Sequence, residues 1–143
     1  MPDAEALARQ ALQLLDEEKL EEWEQTMDPD CEFVGPGVTL QGRERVREFV
    51  EGFRTAFPDV RHTLESVYED GDTIIIELTF AGTHAGPLRT PDGEIAPTGK
   101  RIQMRQAQLV QLRDGKAISF RSYFDRMEMM AQLGLAGPPP SAS

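Results

Sequence analysis

The 143-residue chain carries 25 acidic against 15 basic side chains, a formal charge of -10, and a field of that sign repels nucleic-acid phosphates and anionic membrane surfaces. Its one cysteine, Cys31, excludes an internal disulfide and fits a reducing compartment. With no apolar run long enough for a signal peptide or a membrane span, the expectation is a cytoplasmic, soluble protein of one domain.

In chain order, Leu7, Ala8, Ala11, Leu12, Leu14 and Leu15 recur at helical spacing and predict a first helix capped by Asp3. Asp16-Glu17-Glu18 breaks the stripe, and a second short helix presents Leu20, Trp23 and Met27 until Pro29 ends it. Trp23 reads as core or as a ligand contact, core being the commoner use of a tryptophan on an apolar helix face. Cys31 to Val34 reads as a short strand stopped by Gly35-Pro36-Gly37. From about Gly42 to Phe57, the residues Val46, Phe49, Val50, Phe53 and Phe57 mark the clearest amphipathic helix, stopped by Pro58. Asp59 then reads as a turn residue.

From Val60 the apolar period becomes two. Val60, His62 and Leu64 share one face of a strand, and Asp70-Gly71-Asp72 turns the chain into Thr73–His84. There Ile74, Ile76, Leu78, Phe80, Gly82 and His84 share a face. The stretch Ala85–Gly99 is long for a hairpin loop, and the expectation is that it shapes the rim of a cavity.

A long hairpin follows from Ile102, turning at Arg113-Asp114-Gly115. Its loop length decides which side chains share a face. A two-residue Asp-Gly loop pairs Arg113 with Lys116 and mixes apolar and charged groups on both faces. A three-residue loop pairs Leu112 with Lys116, sets Met104 opposite Phe124, Gln106 opposite Ser122 and Gln108 opposite Phe120, and gathers Arg105, Arg121 and Tyr123 on the other face. The three-residue register is therefore expected, with Gln106, Gln108 and Ser122 as neutral polar groups on an apolar surface. Asp125-Arg126-Met127-Glu128 has the form of a capping box for a closing helix that ends near Leu133, with Gly134 beyond it. Residues 1–137 are expected to form the domain and 138–143 a disordered tail. Helices segregated against one curved antiparallel sheet make an α+β fold with a concave, ligand-sized space.

The residues so assembled resemble the SnoaL-like polyketide cyclases of the nuclear transport factor 2-like superfamily. Carrying the resemblance are FPDV at Phe57–Val60, GTHAG at Gly82–Gly86, PTGKR at Pro97–Arg101, RDGK at Arg113–Lys116 and YFD…QLG from Tyr123 to Gly134. It implies a cone-shaped domain, often a homodimer through the outer sheet face, with a pocket for a small and largely apolar molecule. It also implies ring closure by an intramolecular aldol step without metal or organic cofactor. Family members place a catalytic aspartate on the last strand and a histidine on its neighbour; those positions hold Ser122 and Gln108 here, and neither is a competent base near neutral pH. The limonene epoxide hydrolases of the same superfamily need an arginine and two aspartates where this chain has Leu78, Phe80 and Ser122, with Phe33 and Gly35 at the supporting positions, so that activity is not expected.

The remaining candidates are few. His84 reads either as a proton-moving group that titrates near neutral pH or as a strand-end histidine bonded to loop backbone. His62 reads as structural. Two histidines with no nearby carboxylate cluster do not make a metal site, and neither a metal nor a cofactor is expected. The expected pocket comprises Trp23, Phe33, Phe53, Leu78, Phe80, Met104, Gln106, Phe120 and Phe124, with His84, Gln108 and Ser122 as the catalytic candidates. Two functions follow: a cyclase or isomerase with a rearranged site, His84 moving the proton while Gln106, Gln108 and Ser122 bond a developing enolate oxygen, or a binding or accessory protein that keeps the pocket without the chemistry.

Overall fold

The computed structural model describes residues 3–90 and 93–135. Three helices, α1 (Ala4–Asp16), α2 (Leu20–Glu24) and α3 (Arg43–Ala56), pack on a curved sheet, and a fourth, α4 (Arg126–Gln132), closes the chain. The sheet contains β1 (Met27–Gly35), β2 (Val38–Gln41), β3 (Arg61–Asp70), β4 (Thr73–Thr83), β7 (Arg101–Arg113) and β8 (Lys116–Tyr123), in the order β2-β1-β8-β7-β4-β3; β5 (Leu88–Thr90) and β6 (Gly93–Ile95) form a separate small hairpin. The fold is α+β, as expected, but the sheet is mixed: β1 runs parallel to β8 while the other pairs are antiparallel. Among the described residues no helix is long and apolar enough to cross a membrane. The 138–143 tail lies outside the described residues.

Several boundaries move for physical reasons. Met27, expected on the second helix, and Pro29, expected to end it, both belong to β1. Proline is tolerated because the register of β1 against β8 is interrupted between Met27 and Glu32, so the missing N–H breaks no continuous ladder. The strand β2 was not anticipated at all. It forms because Gly37, at φ 76°, lets the chain fold back within two residues. At the other end, the Asp125 carboxylate accepts from Met127 N at 2.9 Å and Glu128 N at 3.2 Å, and Leu135 N reaches Met130 O beside Gly134 at φ 76°. Asp125 is a helix cap.

The β7–β8 hairpin corrects the expected three-residue loop. Arg113 pairs with Lys116 across a two-residue turn in which Asp114 (φ 53°) and Gly115 (φ 77°) are both left-handed. Leu112 then pairs with Ala117, but Gln111 pairs with Ser119, so Ile118 is an extra residue in β8. That bulge moves the inward positions from Ala117 to Phe120 and Ser122. Arg121 and Tyr123 stay exposed and Ser122 is buried, so the apolar and polar faces sort as expected by a different route. The partners shift by two, Gln108 facing Ser122 and Val110 facing Phe120. A second bulge lies in β3 between Leu64 and Ser66. It turns the inward series Val60, His62, Leu64 over to Val67 and bends the edge of the sheet toward the helices.

Candidate functional site

The concave face of the sheet and the helices enclose a cavity of about 420 Å³. Ile74, Ile76, Leu78 and Phe80 of β4 form its floor, because strict alternation puts every second side chain of that strand inward. Val46, Phe49, Val50 and Phe53 of α3 form one wall, and the stripe of α1 with Trp23 of α2 forms another. Phe53 meets Phe80 edge-on at 5.7 Å, and Phe80 meets Phe124 edge-on at 5.8 Å. These T-shaped contacts keep the rings from collapsing into the space between them.

Polar groups enter this lining sparingly. Gln106 and Gln108 project from β7, with Gln108 Nε2 donating to Ser122 Oγ at 2.8 Å. Among the described residues Gln106 makes no side-chain hydrogen bond, so its amide is free for a ligand. On the opposite side His62 of β3 lines the cavity, and its Nδ1 lies 2.7 Å from Asp16 Oδ1; the other carboxylate oxygen accepts the His62 backbone N–H at 3.2 Å. Arg54 also lines the cavity, with Nη1 donating to Leu15 O at 2.8 Å and Nη2 to Glu18 Oε1 at 3.0 Å.

Of the expected pocket residues, Trp23, Phe33, Phe53, Leu78, Phe80, Gln106, Phe120 and Phe124 line the cavity. Met104 does not. It is core beneath α4, where Gln132 Nε2 approaches its sulfur at 3.5 Å. Gln108 lines the space and Ser122 stands behind it as its hydrogen-bond partner.

His84 is the largest departure from expectation. It lies eight residues along β4 from Ile76, the partner of Gln108, which is roughly 26 Å of strand, and it is not part of the lining. Its ring is fully buried and stacked on Phe57 at 5.3 Å. Nδ1 accepts from Thr98 N at 3.2 Å and lies 3.0 Å from Thr98 Oγ1, while Nε2 is buried without a partner among the described residues. Burial holds its pKa below the ordinary histidine value. No described residue of the loop beyond His84 rims the cavity either. Ala85 N and Gly86 N bond Ala56 O, so the loop seals the end of α3. Asp59 ties the same junction, accepting from Thr83 N at 2.7 Å and Thr83 Oγ1 at 2.9 Å; the backbone bond leads in holding its carboxyl below the usual range. The Cys31 thiol, pushed up to about 12 chiefly by burial, is unreactive.

Sequence reasoning missed the pairing of His62 with Asp16. The two are 46 residues apart, and only the packing of α1 on β3 brings them together. Two signals were present. His62 falls on the inward face with Val60 and Leu64, and Asp16 sits in the last turn of α1, where the negative end of the helix dipole disfavours a carboxylate.

With the geometry in place, comparison with known proteins identifies the lineage. The sequence model of the SnoaL-like polyketide cyclase family matches residues 5–133, and the chain belongs to that family. A search of curated proteins finds no match. Among solved structures, AclR from Streptomyces galilaeus, named as a candidate hydroxylase, is 20% identical with a TM-score of 0.80, covering 96% of this chain and 85% of its own. IdmH from Streptomyces antibioticus, named as a candidate polyketide cyclase, is 21% identical with a TM-score of 0.77, covering 92% and 99%. A protein from Catenulispora acidiphila with a ketosteroid isomerase-like fold, crystallised with trimethylamine, is 20% identical with a TM-score of 0.76, covering 94% and 97%. At these identities the likeness is one of fold.

Proposed function

From membership of the SnoaL-like polyketide cyclase family, we propose that this chain is a cyclase or isomerase acting on a small, largely apolar carbonyl compound. The observation that carries the reading is the 420 Å³ apolar cavity, with a Gln106 amide unpaired among the described residues and the Gln108–Ser122 pair on its sheet wall. Such a cavity takes a molecule of two or three fused rings and supplies neutral N–H donors to one oxygen. Donors placed at a carbonyl stabilise the enolate that both aldol ring closure and double-bond migration pass through. These are proton transfers, which side chains supply by themselves. The Asp/His pair of the family is replaced at Gln108 and Ser122, so the site works by a different arrangement, and epoxide hydrolysis of the limonene type lacks its acidic residues. The proposed state is a cytoplasmic homodimer through the outer sheet face, where Tyr68 and Tyr123 are exposed.

A second reading, a binding protein without turnover, draws on the same pair, since neither Gln108 nor Ser122 is a base. One experiment separates the two. Trp23, the chain's one tryptophan, lines the cavity, so an aromatic polyketide methyl ester should quench its fluorescence saturably. Conversion of that ester to a ring-closed product by the unmodified protein supports the enzyme. Saturable quenching without conversion supports the binding protein, and no quenching overturns both.

A further inference from the structure

We propose that His62, oriented by Asp16, is the catalytic base of this cavity, accepting and returning the substrate proton; the proposal rests on the cyclase or isomerase reading. Histidine bases work when a second group fixes the ring and its tautomer and the remaining nitrogen faces the substrate. Asp16 does this with both oxygens. Oδ2 accepts from the His62 backbone N–H, and Oδ1 accepts a hydrogen bond from Nδ1–H at 2.7 Å. Nε2 is left as the acceptor nitrogen of a ring that lines the cavity, and among the described residues it has no hydrogen-bond partner.

The placement of the pair is costly without a function. A carboxylate in the last turn of α1 opposes the helix dipole, and no basic residue shares that turn. Local rules broken in this way concentrate at working sites. The other charged group on this side is Arg54, already held by Leu15 O and Glu18; across the strand His62 faces the apolar Phe80.

The geometry also suits the chemistry. Gln106 pairs with Leu78, which pairs with Leu64, two residues from His62. The two Cα atoms are therefore two strands and two residues apart, about 12 Å. Side chains reaching inward from each end leave room for a carbonyl group between them. His62 Nε2 takes the proton from the carbon beside the carbonyl, and the C–H electron pair passes into an enolate whose oxygen accepts from Gln106. In isomerisation the imidazolium returns the proton to the far carbon. In ring closure the enolate carbon attacks a second carbonyl of the same molecule, and the imidazolium protonates the new alkoxide. Both routes restore neutral His62.

The test uses 2-tetralone in D2O, following exchange of its C1 hydrogens by proton NMR and its binding by Trp23 quenching. The native chain should accelerate exchange saturably, with the pH-dependent rate that general-base catalysis gives. His62→Gln should lower the rate by about 10²–10⁴-fold and abolish that pH dependence while still binding tetralone. Asp16→Asn should lower it by about tenfold or more, and it serves alone if His62→Gln does not fold. A rate unchanged in both variants, or a rate lost in His84→Asn instead, overturns the proposal. So does a lowered melting temperature in both variants with the pH profile intact, which is what a structural pin would give. Binding without any exchange by the native chain overturns the base but leaves the pocket reading standing. No binding removes the pocket reading and the base with it.

Discussion

Gln108 Nε2 donates to Ser122 Oγ at 2.8 Å across β7 and β8. Ser122 is only 3% exposed, and the half-buried Gln108 satisfies its hydroxyl at no ionic cost.

Placing an acid at Ser122 should therefore destabilise the fold in a pH-dependent way. In Ser122→Asp, burial raises the carboxyl's folded pKa above its unfolded value of about 3.9. The unfolded chain then loses its proton first, so stability falls as pH rises from about 4 and levels once the folded form also ionises. Ser122→Ala should cost about 1 kcal/mol with no such slope. Urea unfolding at pH 4 and pH 8 checks both; equal losses for Ser122→Asp at the two values would show that Gln108 accommodates the charge.

Asp125→Ala should lower stability by about 1 kcal/mol, because two backbone N–H groups of α4 lose their acceptor. Asp125→Asn, which keeps an acceptor oxygen, should recover most of the loss in thermal unfolding.

His84 predicts acid sensitivity. Its folded pKa lies below the ordinary 6.5, so the unfolded chain binds the proton more readily. Stability is complete above pH 6.5 and declines as pH falls through the window between 6.5 and the depressed folded value. His84→Asn can still accept from Thr98 N but does not titrate, and it should flatten that decline in denaturant unfolding between pH 7 and pH 5. A decline of the same size in the variant would assign it elsewhere.

Deleting Ile118 tests the bulge. Without the extra residue the ladder runs on from Leu112–Ala117 through Gln111–Ser119 to Val110–Phe120 in one regular register, which keeps Phe120 and Ser122 on the concave face. The deletion should therefore keep a cooperative thermal transition. Loss of that transition would mean that the fold needs the bulge for more than its register.

What the sequence determined by itself was set by period and by local chemistry. The 3.6-residue stripe of α3, the alternation of β4 and the Asp125 cap are decided within a few residues, and the structure shows them at the expected places. Alternation also selected most of the cavity lining, since an inward residue on a strongly bent sheet has only the concave space to enter. Tertiary structure decided the rest. The Ile118 bulge costs one unpaired residue, and it forms because the burial of Phe120 outweighs that cost, a balance no local rule contains. Met104 and His84 share the inward face of their strands, yet α4 covers one and the end of α3 covers the other, so facing inward did not place them in the cavity. His62 and Asp16 lie 46 residues apart, and only the docking of α1 against the edge strand turns a carboxylate at the wrong end of a helix into the partner of a histidine.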